Sequence, residues 1–223
     1  MNVFFRAVLV ALVAGGSLSS WGGTNGFVVP NYRGLAGTTF TGWEWFGVAQ
    51  GEPGNVGDMA GSATHVRLYQ TAAGAQVLGS GNLYNGASAS VFEIRYTLPT
   101  GFTDVERVSL QMRTLGTELA YDSVRLIAAS GNSSESLVGV RTELDRVAIG
   151  PPPPAPGSGF GVSSLWEWDL TGRTVDYFAI TVSAAEVNLS LDSATLDVRM
   201  VPEPGVVGLG VLGGLLLLAT RRR

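Results

Sequence analysis

Cysteine is absent from the 223 residues, which excludes a disulfide framework and a thiolate metal site. Stability must then come from an apolar core or from bound ions. Lysine is absent too, and all 14 basic residues are arginines. Histidine occurs once, as His65, with no G-x-S-x-G, H-E-x-x-H or clustered His/Asp/Glu set around it. A catalytic triad or zinc site would therefore lack partners, and no enzyme is expected. Positive charge is scarce: apart from Arg6 and the three terminal arginines, 10 arginines face up to 18 acids. Such an acidic surface repels phosphates and argues against a nucleic-acid partner. Helical periodicity over three turns is missing as well.

What is present is alternation. Phe92, Ile94 and Tyr96 oppose Val91, Glu93 and Arg95, and Val108, Leu110 and Met112 oppose Arg107, Ser109, Gln111 and Arg113. Phe178, Ile180 and Val182 follow the same rule, as do Val187, Leu189 and Leu191. Period two with β-branched and aromatic residues predicts half-buried antiparallel strands. Roughly eight to ten such runs at short spacing predict an all-β fold, a single antiparallel β-sandwich of jelly-roll type. The proline-rich stretch 150–159 reads as a loop within it, since the 160–199 remainder is too short for its own core. The glycine-rich segments 51–61 and 79–86 read as surface turns.

Both ends speak of export. Residues 1–22 have a short positive start, an apolar stretch Ala7–Ala14 and small residues for a signal peptidase, the cut falling at about 19–23. The body is residues 23–199, and the segment 200–223 closes the chain. In it, Pro202 and Pro204 flank Glu203; prolines fix φ and remove donors, so the segment is expected to be extended and to join neither helix nor ladder. An uncharged run follows within 205–220, short for a bilayer at about 1.5 Å per residue. Arg221, Arg222 and Arg223 then stop transfer and hold the end cytoplasmic. A G-x-G-x-x-G at 208–213 lacks the following acid of a dinucleotide site and reads as small residues in a membrane helix.

Val201-Pro202-Glu203-Pro204, the apolar run and the arginine cluster together resemble the bacterial PEP-CTERM sorting signal. The resemblance covers about a tenth of the chain and concerns destination. It implies a Gram-negative protein exported by the Sec machinery and anchored in the inner membrane by its C-terminal helix. An exosortase then cuts it near the motif and passes it to the cell surface or an exopolysaccharide matrix.

Two Trp-Glu-Trp tripeptides stand out, at 43–45 and 166–168. Residues two apart on a strand share a face, so each pair forms either core or a flat aromatic platform for a sugar. Trp166 and Trp168 continue to Leu170 and read as core. Trp43 and Trp45 face a mixed neighbourhood and are the candidate carbohydrate site, with core as the alternative. Glu44 and Glu167 would be the carboxylates of a glycoside hydrolase, a less favoured reading. Asp192 and Asp197 lie in a late strand that, with Asn25-Gly26-Phe27 and Gly42-Trp43, resembles galactose-binding-like and carbohydrate-binding jelly rolls. That resemblance implies a structural calcium involving Asp192, although Val28 stands where an acidic ligand would be. Glu52, Asn55 and Asp58 are an alternative oxygen set. The expected function is a non-catalytic surface or matrix protein, the alternative a lectin-like module.

Overall fold

The computed structural model describes residues 26–151 and 159–203. Apart from one 3-10 turn at Tyr121–Ser123, every regular element among them is a strand. Numbered in chain order, there are thirteen, in two antiparallel sheets. The first sheet runs β10 (Val140–Ile149), β11 (Gly159–Asp169), β7 (Phe102–Gly116), β13 (Leu189–Pro202), β5 (Leu83–Asn85), β4 (Ala75–Val77). Strand β1 (Thr38–Trp43) also pairs with β13. The second sheet runs β2 (Asn55–Val56), β3 (Arg67–Gln70), β6 (Val91–Thr97), β12 (Tyr177–Ser183), β8 (Arg125–Ser130), β9 (Ser133–Val138).

The alternation has its expected consequence. Phe92, Ile94 and Tyr96 of β6 and Phe178, Ile180 and Val182 of β12 point one way. They share one buried cluster with Val108, Leu110 and Met112 of β7, Leu196 and Val198 of β13, and Trp166, Trp168 and Leu170. Tyr96 stacks on Phe178 with ring centroids 4.8 Å apart. Each large apolar side chain fully withdrawn from water contributes roughly 1.5–3 kcal/mol, so this inter-sheet layer is the main source of stability.

The other face of the first sheet is polar and nonetheless buried. Ser109, Gln111, Thr195 and Asp197 are at most 2% exposed. What covers them is the segment from Gly26 to Arg33, which crosses the sheet as a strap. The Gln111 side chain holds the Val28 backbone from both sides, accepting from its N–H and donating to its C=O at 2.8 Å each. Tyr32 Oη and Ser109 Oγ are 2.7 Å apart, and Arg33 donates Nε and Nη2 to the two oxygens of Asp197 at 2.5 and 2.7 Å. Burial pushes the Tyr32 hydroxyl up to about 12, against the opposing hydrogen bond from Ser109. The strap thus replaces water for a row of side chains that alternation alone would assign to solvent.

Several details depart from the sequence reading. The glycine-rich segments are not turns throughout: β2 lies in the first, and β5 in the second. Val187 lies outside the strand with which its spacing aligned it, because Asn188 takes a left-handed φ of 67° and breaks the run before Leu189. The proline-rich segment from Pro152 onwards lies outside the described residues; the strands on either side of it pair with each other, Ile149 opposite Gly159. Strand β13 runs past Arg199: Val201 pairs with Asp104 and Pro202 with Phe102 after register shifts. The expectation that this segment joins no ladder is therefore corrected. Pro202 is the last residue of its strand, where a missing N–H costs little.

Candidate functional site

Strand β13 changes neighbours part-way along. Ala194–Arg199 pair with β1, whereas Leu189–Leu191 pair with β5. Between them the register against β7 shifts from Leu191 to Ser193, leaving Asp192 as the extra residue of a bulge. At the same break β1 ends with Trp43 opposite Ala194, and the chain enters β5 through Gly81 and Asn82, Leu83 lying opposite Leu191. Three segments therefore meet there: the Glu44–Trp45 exit, the Gly81–Asn82 entry, and the Asp192 bulge.

The strand end separates the two tryptophans of the first pair. Trp43 is 0% exposed, and its Nε1 donates to the Asn55 carbonyl at 3.0 Å. Its place in the core rules out the two-ring platform. Trp45, by contrast, is 58% exposed. Part of its indole lies against Gly81: a Cβ at that glycine, where φ is +86°, would meet ring carbon Cε3 at 2.5 Å. The next residue, Phe46, is buried and donates its N–H to the Gly81 carbonyl at 2.8 Å. Asp58 accepts from the Glu44 N–H at 2.8 Å, while Asn55 Oδ1 accepts from the Gly47 and Val48 N–H groups at 2.9 and 2.8 Å. The exposed ring thus stands on a segment fixed on both sides.

Asp192 accepts from Asn82 Nδ2 at 3.0 Å, and its other oxygen is 3.4 Å from Arg113 Nε. Arg113 also lies 3.5 Å from Asp145. Asp192, the residue of the calcium reading, is thus paired with a guanidinium. Glu52 pairs with Arg95, Asn55 is buried, and Asp58 caps a backbone N–H, so the alternative oxygen set is dispersed. Among the described residues no group of three or more His, Cys, Asp or Glu is placed to hold a metal.

Other sequence candidates are distributed elsewhere. Trp166 and Trp168 are 1% and 3% exposed in the core, and Glu167 faces outward. Glu167 shares a cross-strand row with Ser109, Asp197 and Phe40. Three strand spacings put Glu167 about 14 Å from Phe40 across the sheet, and Glu44 lies four residues further along. A glycosidase pair needs about 5–9.5 Å, so these two carboxylates do not form one. Asp197 belongs to the Arg33 pair described above. Of the sorting motif, Val201, Pro202 and Glu203 are described, and Glu203 donates its N–H to the Gly101 carbonyl at 3.0 Å. Pro204, the apolar run and Arg221, Arg222 and Arg223 lie outside the described residues, as does the segment 1–22 read as an export signal.

One charged cluster had no signature in the sequence. Arg146, on β10, bonds both Glu118 and Glu143; Arg141 bonds Glu143 and lies 3.4 Å over the Tyr121 ring. The Arg146 hydrogen bond, with Arg141 assisting, holds the Glu143 carboxyl down at about 2, and Arg146 likewise lowers Glu118. Depressed folded-state values stabilise the fold above the ordinary glutamate value of 4.5 and lose that contribution as pH falls towards 2. The side chains are about one-third exposed, so solvent screening keeps the effect small. Arg146→Gln should lower the urea midpoint at pH 6, and the deficit should shrink on titration below pH 4.5. A deficit constant across that range would assign the loss to packing.

Searches against protein-family models and against curated proteins return no match for this chain.

Proposed function

We propose that this chain is an exported, exosortase-processed protein of the cell surface or extracellular matrix, delivered for a non-catalytic role alongside exopolysaccharide. The observation that carries this reading is the order of three features in the last 23 residues: Val201-Pro202-Glu203-Pro204, an uncharged apolar run, and Arg221–Arg223. Each has a physical role in one process. The proline-flanked glutamate offers a stiff, donor-poor peptide to a membrane protease, the apolar run stops in the inner membrane, and the arginines fix its orientation. The segment at residues 1–22 supplies the Sec and signal-peptidase step.

The exported body is read as one jelly-roll-like sandwich, on the strength of its two antiparallel sheets and shared apolar core. Within the motif, Val201 and Pro202 close the last strand and the Glu203 N–H bonds the Gly101 carbonyl, so the recognition element begins at the edge of the body. Expression of the full chain in a Gram-negative host with and without its exosortase tests the reading. Mass measurement should find residues after the motif removed only when the exosortase is present. A chain retained in the cytosol with both ends intact would end it.

A further inference from the structure

We propose that the break in β13, where β1 gives way to β5, binds a neutral pyranose chain stacked on Trp45 and held through its hydroxyls by Asp192. The proposal rests on the matrix reading above and assigns the exopolysaccharide contact to one face. Trp45, the exposed member of the candidate carbohydrate pair, and Asp192, the calcium candidate, are far apart in the chain. The topology puts each two residues beyond the same Trp43–Ala194 pair. A bulge gives Asp192 a position outside the regular ladder, where it is free of the cross-strand partner that a paired residue would face.

The chemistry of the three segments is complementary to a sugar. Pyranose rings present C–H faces that stack on an electron-rich ring, and their equatorial hydroxyls need fixed acceptors and donors beside it. Trp45 is seated before any ligand arrives, with Gly81 beneath part of the ring and Phe46 bonded to Gly81 behind it. An indole fixed in this way loses little rotamer freedom on binding. Asp192 is likewise set, by Asn82 on one oxygen and Arg113 near the other, while its side chain keeps 26% exposure. A carboxylate has about four lone-pair positions, so acceptor capacity is left for hydroxyl donors. Glu44, exposed beside Trp45, adds a second carboxylate. Counting Arg113 against Asp192 and Asp145, with Glu44 exposed beside Trp45, leaves this region net negative, which disfavours a uronic-acid polymer and selects a neutral one.

The test is calorimetric titration of the full chain in a non-glycosidic detergent with cellohexaose, laminarihexaose and maltohexaose, and with hexagalacturonate as the acidic comparison. At least one neutral hexasaccharide should bind. Trp45→Ala should weaken that binding by roughly tenfold or more, and Trp45→Phe should retain part of it. Asp192→Asn should weaken it while leaving the unfolding midpoint of the protein close to that of the wild type. Gly81→Ala, which displaces the indole without removing it, should weaken it as well. Failure of all three neutral probes, equal binding by Trp45→Ala, or binding of hexagalacturonate alone would overturn the proposal. Tail trimming measured in cells separates the two readings: a trimmed protein that binds none of the neutral sugars sinks this site only. An untrimmed one that binds them sinks only the sorting.

Discussion

Arg33→Ala is expected to lower the unfolding free energy by about 3 kcal/mol at pH 8, and by less at pH 5. Asp197 is buried beneath the strap with both oxygens on the Arg33 guanidinium. Burial already pushes its carboxyl above the usual aspartate value, Arg33 pulling the other way. Removing the guanidinium leaves burial unopposed, so the folded state holds the proton to higher pH than the unfolded chain, whose value is near 3.8. A carboxyl raised in the folded state is neutral, and harmless, below its folded value; the penalty grows as pH rises through it. The variant should therefore regain stability on acidification. The double variant Arg33→Ala with Asp197→Asn should be more stable at pH 8 than Arg33→Ala alone, because the orphaned charge is gone. Urea unfolding at both pH values checks this, and a loss that is the same at each would mean that Arg33 acts through packing on Phe40, whose ring it covers at 4.0 Å.

That strap shows where sequence reasoning reaches its limit. The inward rows of β6, β7 and β12 were legible, because period-two alternation is a local signal and Phe92, Leu110 and Ile180 each carry it. Ser109 and Gln111 occupy the opposite phase and read as solvent-facing, and Asp197 read only as part of a late strand, yet all three are buried by a segment some 77 to 164 residues away. No local pattern announces such a contact. Trp43 and Trp45 illustrate the same limit on a smaller scale. Their spacing predicts a shared face only while the strand continues, and β1 stops at Trp43. Gly81, Asn82 and Arg113, which surround the candidate site, carry no motif; their meeting depends on the bulge at Asp192 and on the partner exchange of β13. The tail was read from linear order alone, and there too a tertiary partner went unseen: Val201 and Pro202 pair with β7.

Replacing Pro202, Glu203 and Pro204 together by alanine is expected to abolish C-terminal trimming while leaving export and the folded body unchanged. The motif is tied to the body by few interactions: the Val201–Asp104 and Pro202–Phe102 pairings, the Glu203 N–H on Gly101, and a 3.4 Å contact from Thr103 Oγ1 to the Val201 carbonyl. Alanine retains the N–H at Glu203 and supplies one at Pro202, so the strand end keeps its bonds, and the change in stability should stay within about 0.5 kcal/mol. What it removes is the stiffness and the carboxylate that a protease would read. Glu203→Gln alone isolates the charge from the shape. Thr103→Ala is the structural control, since it loosens the strand end without touching the motif and should be trimmed like wild type. Intact-mass measurement of the protein from exosortase-bearing cells decides the matter. Full-length triple variant beside trimmed wild type and trimmed Thr103→Ala is the expected pattern. Trimming of the triple variant at the wild-type position would show that the protease recognises something other than the proline-flanked glutamate, and the sorting assignment would lose its foundation.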